Sequence, residues 1–382
     1  VAGLVVYALV AYRQPLPTLS VVKLSETPIA TYAPVLTWPG YGESAVGAIG
    51  YGVLATHGNN TGLPTASVGK MMTTLAVLKR YPLTIGQQGP TITLAAADVN
   101  SYNTYAAEGG SVIKVISGEK ITEYQALEAM LLPSANNMAD TLATWAYGSM
   151  NAYIINANQI ARSLGLNNSY FSDASGFAPQ TVSTAHDLVV LGEAVMANPV
   201  IAQIVAQKSA VVPVAGTVDN VNWLLDSNGI DGIKTGSTGS AGGVYLFSSQ
   251  QKLVNGQAIT VVGSIMDGPT LQRAMDDAVP LIQSVMTNFQ ITTVISAGQV
   301  VGYYHPGWSG RIEAVADATL APVTWPGQSL VPNVQFNLLH TPLAKGVQVG
   351  TASVTGITSS SVPIIMQEPL NSPPWYWRLL HI

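Results

Sequence analysis

Between Pro64 and Leu78 the apolar positions are 68, 71, 72, 75, 76, 77 and 78. They cover almost the whole circumference of a helix, so the stretch predicts one buried on nearly all sides, closing before Pro82. It opens on Ser67 and carries Lys70 one turn later. Further helices are predicted over 123–132, broken at Pro133, and from Ser134, a natural N-cap, onward. Met150 to Leu164, Thr184 to Met196 and Leu271 to Asn288 carry the same periodicity, with a loop from Asn167 to Gln180. Strand signals differ. Ala45 to Ala55 reads as two strands joined by a tight turn at Gly50-Tyr-Gly52. Gly229 to Ser237, Gly243 to Ser249 and Ala258 to Ile265 read as a strand followed by a hairpin, which puts Lys234-Thr235-Gly236 at the edge of an antiparallel sheet. Residues 83–125 look like turns and short strands, including an alternating run at 111–116.

Helical periodicity disappears after Ile291. Short alternating segments cut by Gly and Pro predict a small all-β domain over 291–365. The whole reads as an α/β (α+β) domain of helices and antiparallel sheet over 31–290, that β domain, and an aromatic tail over 366–382. Val1 to Tyr12 is an apolar run closed by Arg13, Pro15 and Pro17. Twelve residues make about 18 Å of helix against a hydrocarbon core of roughly 30 Å. It reads as the tail of a signal or anchor segment, with residues 13–30 as linker; a buried strand or helix is the alternative. Trp375-Tyr-Trp377-Arg378 near the other end suits a membrane interface or a tail packed on the β domain.

Composition narrows the function classes. With 382 residues the chain has room for a sizeable core, and 48% hydrophobic content excludes general disorder. A net charge of −5 and the lack of any basic run argue against nucleic acid. There is no Cys, so no disulfide, thiolate nucleophile or zinc-thiolate site can form, which suits an exported protein. His57, His186, His305, His340 and His381 are scattered without metal-ligand spacing, and neither metal nor cofactor is expected.

The chemistry centres on Ser67 and Lys70. Positions i and i+3 share a helical face, so the amine reaches the hydroxyl. Desolvation lowers a lysine's proton affinity and makes it a base at neutral pH. Ser20/Lys23, Ser111/Lys114 and Ser117/Lys120 share the spacing but lack the helical context. Ser-x-Asn occurs at Ser134/Asn136, and also at Ser101/Asn103 and Ser149/Asn151, whereas Lys-Thr-Gly occurs once. Order and context select Ser67 and Lys70, Ser134 and Asn136, and Lys234 to Gly236.

That ordered set is shared by penicillin-binding proteins and class A β-lactamases. Pro-Thr-Ala-Ser67, Leu-Leu-Pro-Ser134-Ala-Asn-Asn, Asp231-Gly-Ile-Lys-Thr-Gly, Ser172-Asp-Ala-Ser-Gly-Phe and Ser183-Thr-Ala-His-Asp-Leu resemble the serine D-alanyl-D-alanine carboxypeptidases, the low-molecular-mass penicillin-binding proteins, over about 40–290. The resemblance implies the penicillin-binding protein/β-lactamase-like fold and an exported, membrane-associated enzyme. Its partners would be peptidoglycan stem peptides ending in D-Ala-D-Ala and β-lactam antibiotics. It further implies Ser67 as nucleophile, Lys70 as its base and Ser134 as proton relay to the leaving amine. Asn136 would bind the substrate amide, Lys234 and Thr235 the terminal carboxylate, and Gly236 would leave room for substrate backbone. The N–H groups of Ser67 and Ser237 would form the oxyanion hole.

Two departures bear on this. Gly69 stands where the family more often has Thr or a larger residue, and a helix-interior Gly costs about 1 kcal/mol. Between Asn136 and Lys234 the one Glu is Glu193, inside an apparent helix, which argues against an efficient β-lactamase. Asp173 reads as a turn former. A DD-endopeptidase or β-lactamase on the same fold, or a silent peptidoglycan-binding protein, are the competing readings.

Overall fold

The computed structural model describes residues 2–16, 19–24, 28–30 and 32–380. Val1 of the N-terminal apolar run and the last two residues of the aromatic tail lie outside them. Two compact units result, one of residues 35–287 and one joining 1–34 to 288–382. In chain order the helices are α1 (Ala2–Arg13), α2 (Lys70–Arg80), α3 (Ala96–Ala107), α4 (Glu123–Leu131), α5 (Asn136–Tyr147), α6 (Met150–Ser163), α7 (Ala185–Met196), α8 (Pro199–Val205), α9 (Leu271–Asn288) and α10 (Trp375–Leu380).

The larger unit is built on five strands, β1 (Glu43–Ala48), β2 (Gly52–His57), β3 (Ile230–Thr238), β4 (Gly242–Lys252) and β5 (Ala258–Gly268). They form one antiparallel sheet in the order β3-β4-β5-β1-β2, so β3 is an edge strand, as its sequence predicts. Helix α7 lies on this sheet, and α2 lies between α7 and the cluster of α4, α5 and α6. Eight of the eleven side chains of α2 are buried, Met71 and Met72 completely, which is the all-round burial that the apolar pattern predicts. Truncating either Met to Ala would cost about 2–5 kcal/mol through the cavity left behind.

Local chemistry sets the helix starts. Thr122 Oγ1 accepts from Gln125 N–H (3.2 Å) while Gln125 Oε1 accepts from Thr122 N–H (3.1 Å), a capping box that begins α4. Ser149 and Thr184 cap α6 and α7 in the simpler way. Three local expectations need correction. Residues 96–107 are helical although no side chain there is buried, so apolar periodicity gave no signal. The alternating run at 111–116 is not a strand, because the side-chain amide of Asn137 takes both the N–H and the carbonyl of Ile113 (3.2 and 3.1 Å). Ser134 is not the cap of α5. Ala135 holds that position without a side-chain bond, and Ser134 has φ +66°.

The smaller unit is β-rich. Its six-stranded sheet runs in the order 20–23, 300–305, 312–316, 359–366, 348–355 and 333–336, so the N-terminal arm supplies an edge strand, Ser20–Lys23. Ile312, Ala314, Val349, Ala352 and Ile364 are buried within it. In the same unit α1 meets α10. Tyr7 donates to the Leu379 carbonyl (2.9 Å), and Arg378 donates to the Tyr12 carbonyl (2.8 Å) while lying over the Tyr12 ring.

Candidate active site

Before α2 the chain makes a 3₁₀ turn, Ala66–Gly69, on which residues three apart eclipse. That geometry brings Lys70 Nζ within 2.7 Å of Ser67 Oγ. Ala66, just before the nucleophile candidate, has φ +45°, a left-handed backbone that costs a non-Gly residue of order 1–2 kcal/mol. The loop beneath holds it there. Gly176 (φ +73°) passes so close that a Cβ would stand 1.8 Å from the Ala66 carbonyl oxygen. Gly69 belongs to this turn rather than to a helix interior. A Cβ on it would meet Thr65 Oγ1, Gly176 Cα and Thr181 Cγ2 at 3.1–3.2 Å, so the missing side chain reflects close packing, not a loosened nucleophile.

Lys70 is fully buried and has two further neighbours, Asn136 Oδ1 (2.6 Å) and the Ser175 carbonyl (3.0 Å). Those oxygens can only accept. A neutral amine that donates to both therefore turns its lone pair on Ser67 Oγ. Burial pushes Lys70 well below the usual lysine range, the charge of Lys234 pushes it further, and Asp173 and Asp140 pull it partly back. The site thus favours the neutral, proton-accepting form.

Lys234 and Thr235 are both 3% exposed, on the edge strand β3. Burial lowers Lys234 to about 7. Its Nζ donates to the neighbouring Thr235 carbonyl (3.0 Å) and makes no carboxylate ion pair among the described residues. A buried amine of this kind is receptive to an incoming carboxylate, which would restore its charge. Gly236 pairs with Val244 in the sheet. A Cβ there would lie 2.8 Å from Ser67 N and 3.0 Å from Ala66 Cβ. The glycine is thus required by the nucleophile turn, whereas its sequence reading assigned the room to substrate.

Ser67, Asn136 and Ser237 face one cavity of about 360 Å³, walled by Gly109 to Ser111 and Phe177. The structure therefore brings Ser67, Asn136 and Ser237 to this cavity, with Lys70 buried behind Ser67 and Asn136 and Gly236 behind the turn. Ser134 is buried, and its Oγ has no hydrogen-bond partner among the described residues. Sequence reasoning missed the Ser175 carbonyl and the wall at 109–111; the Gly109-Gly110 pair was the available signal for the wall. Asp173 organises the loop beneath. It accepts from the N–H groups of Gly176, Phe177 and Ala178 and from the hydroxyls of Ser175 and Thr181. Glu193 sits under β1 and β2, where its carboxyl approaches Gly47 and burial raises it to about 6.

Known proteins resemble this chain in sequence and fold. Residues 48–269 match the D-alanyl-D-alanine carboxypeptidase family of peptidases. D-alanyl-D-alanine carboxypeptidase DacB2 of Mycobacterium tuberculosis is 33% identical over 50% of this chain and 63% of its own length. DacF of Bacillus subtilis is 27% identical over 55% of this chain and 53% of its own. The chain thus spans between half and two thirds of the length of these two relatives. A crystal structure of a D-alanyl-D-alanine carboxypeptidase from Mycobacterium tuberculosis superposes with a TM-score of 0.58 at 28% identity, covering 67% of this chain and 95% of that one. Penicillin binding protein 5 of Haemophilus influenzae shares the fold over 91% of this chain and 99% of its own (TM-score 0.60, 18% identity). With the family matched over more than half of its length, this chain belongs to the D-alanyl-D-alanine carboxypeptidases.

Proposed function

We propose that the protein is a serine DD-carboxypeptidase that removes the terminal D-Ala from peptidoglycan stem pentapeptides and is acylated by β-lactams. One observation carries this reading: a fully buried, neutral-leaning Lys70 holds Ser67 Oγ at 2.7 Å beside a second buried lysine that has no carboxylate of its own. Ser67 Oγ attacks the penultimate D-Ala carbonyl while Lys70 takes its proton. The substrate's terminal carboxylate lies against Lys234 and Thr235, and Asn136 Nδ2 donates to the stem-peptide carbonyl. The N–H groups of Ser67 and Ser237 receive the oxyanion. Collapse breaks the C–N bond, and the proton that Lys70 took passes through Ser134 to the departing D-Ala amine, leaving Lys70 neutral again. Water then hydrolyses the ester.

Neither Glu193 nor Asp173 is free to drive that last step on a penicilloyl ester: Glu193 lies under β1 and β2, and Asp173 is occupied by five donors. A long-lived β-lactam adduct follows, which favours a penicillin-binding protein over a β-lactamase. The assay is D-Ala release from a pentapeptide ending in D-Ala-D-Ala. Ser67→Ala should abolish it, and release that survives the substitution would sink the assignment.

We further propose an extracytoplasmic location with membrane association through the two termini. No helix among the described residues is long and apolar enough to cross a membrane by itself. However, α1 and α10 present Val6, Leu9, Val10, Trp375, Tyr376 and Leu380 to solvent side by side. Aromatic and aliphatic side chains so displayed suit a lipid interface. Co-sedimentation with anionic vesicles that persists after residues 375–382 and 1–13 are both removed would refute it.

A further inference from the structure

Glu108 ends α3 as its C-cap residue, and the last turn of that helix carries no basic side chain. The carbonyl end of a helix disfavours a negative charge, so α3 gains nothing from this carboxylate. No other element holds it: the residue is exposed, and its side chain has no hydrogen bond or ion pair among the described residues. A residue that breaks a local rule without gain to the fold points to function. What it borders is the cleft. Glu108 lines the cavity of Ser67, Asn136 and Ser237, and it is the charged side chain of that lining. The backbone that follows is pinned to the site. The Ser111 carbonyl accepts from Asn136 N–H at 2.8 Å, and a Cβ on Gly110 would stand 2.7 Å from Asn136 Nδ2. Glu108 also borders an adjoining cavity of about 350 Å³ whose lining holds no Lys or Arg. Asp140 and Asp173 line it too, but they already accept from Ser101 and Tyr105 and from five donors respectively, so Glu108 is the carboxylate left to bind.

We propose that Glu108 is a specificity-determining residue: its carboxylate receives the side-chain amine of the stem peptide's third residue, so the enzyme selects peptides with a diamino acid at that position. This rests on the DD-carboxypeptidase reading of the Ser67 site. The two D-Ala methyls carry no charge, so the third residue is the first from the scissile bond that can present one. Its Cα lies about 3.8 Å from that of the penultimate D-Ala, and an amine on a four-carbon chain reaches about 6 Å further. That reach spans the cleft rather than the whole unit, and Glu108 is the acidic group in the lining that it meets. The cleft then matches its substrate at two points, Lys234 for the terminal carboxylate and Glu108 for the amine. A pair at an exposed rim is weak and screened by salt, so the contact ranks substrates rather than supplying the bulk of their binding.

The test is D-Ala release by the full chain from two pentapeptides that differ only at the third residue, lysine in one and Nε-acetyl-lysine in the other. The readout is the ratio of their kcat/KM values for wild type, Glu108→Gln and Glu108→Lys. Each variant is compared with itself, so a partly unfolded sample lowers both rates and leaves the ratio alone. Wild type should favour the lysine peptide about three- to fivefold at low salt, and the preference should shrink towards unity in molar salt. Glu108→Gln should bring the ratio near one at any salt, and Glu108→Lys should reverse it about threefold through like-charge repulsion. A wild type indifferent to the acetyl group, or a preference that Glu108→Gln leaves unchanged, would overturn the proposal. Release from neither peptide would instead overturn the carboxypeptidase reading on which it rests.

Discussion

Substituting Gly236 by Ala tests how tightly the edge strand grips the nucleophile turn. The added methyl would sit 2.8 Å from Ser67 N, 3.0 Å from Ala66 Cβ and 3.2 Å from the Thr65 carbonyl oxygen. None of these is the end of a flexible side chain, so no rotamer change relieves the contact. Ordinary carbon contacts start near 3.5 Å, and β3 must separate from the turn by roughly half an ångström or more. Overpacking of this kind costs about 1–3 kcal/mol of stability. The larger effect falls on the reaction, because Ser67 and Lys234 sit on the two parts being driven apart, and misplacement by about 1 Å can reduce a rate about 100-fold. We expect the second-order rate of acylation by benzylpenicillin to fall between about 10- and 100-fold. Thermal unfolding should show that the variant is still folded at the assay temperature. An acylation rate within twofold of wild type would refute the packing argument, since the cleft would then tolerate a gap that it is built to exclude.

Ser134→Ala should leave thermal stability within about 0.5 kcal/mol of wild type, because the buried Oγ has no hydrogen bond to lose. D-Ala release should nonetheless fall at least about 10-fold if that hydroxyl relays the leaving-group proton, and unchanged release would remove Ser134 from the mechanism. Glu123 is fully buried with both carboxyl oxygens unpartnered among the described residues, and burial raises it to about 7. A raised carboxyl pKa means that the folded state binds more protons than the unfolded one between about 4.5 and 7, so this group's contribution to stability is lost as pH rises through that window. Glu123→Gln should therefore stabilise at pH 8 by of order 1–3 kcal/mol and little at pH 4.5, read from urea unfolding; an equal effect at both would contradict the assignment. Asp173→Ala, which strips five donors of their acceptor, should destabilise by about 2–4 kcal/mol and lower acylation together.

Much of the fold was legible in the chain because the burial pattern and the element periodicity agree. Helix α2 is apolar around almost its whole circumference and eight of its eleven residues are buried, and the two apolar runs after Lys-Thr-Gly pair as the antiparallel hairpin that their turn residues predict. The pairing of Ser67 with Lys70 followed from its spacing together with its helical context, since three other pairs share the spacing. What stayed hidden depends on contacts between distant segments. Helix α3 buries no side chain and so left no periodic trace, yet it carries Ser101 and Tyr105 to Asp140. The run at 111–116 alternates like a strand, but its natural partner is the amide of Asn137, 24 residues from Ile113. Ser134 looked like a helix cap by residue type; its positive φ instead turns the side chain into an interior without partners. Gly69 and Gly236 looked like a weakness and a substrate groove, and both prove to be close approaches to the Ser67 turn.

The measurement that bears most directly on the account is the intact mass of the protein after benzylpenicillin, followed over hours with the modified peptide mapped. The account predicts one covalent adduct, on Ser67, that persists because neither Glu193 nor Asp173 is placed to deacylate it. Absence of an adduct, an adduct elsewhere, or a fleeting one accompanied by drug turnover would contradict it.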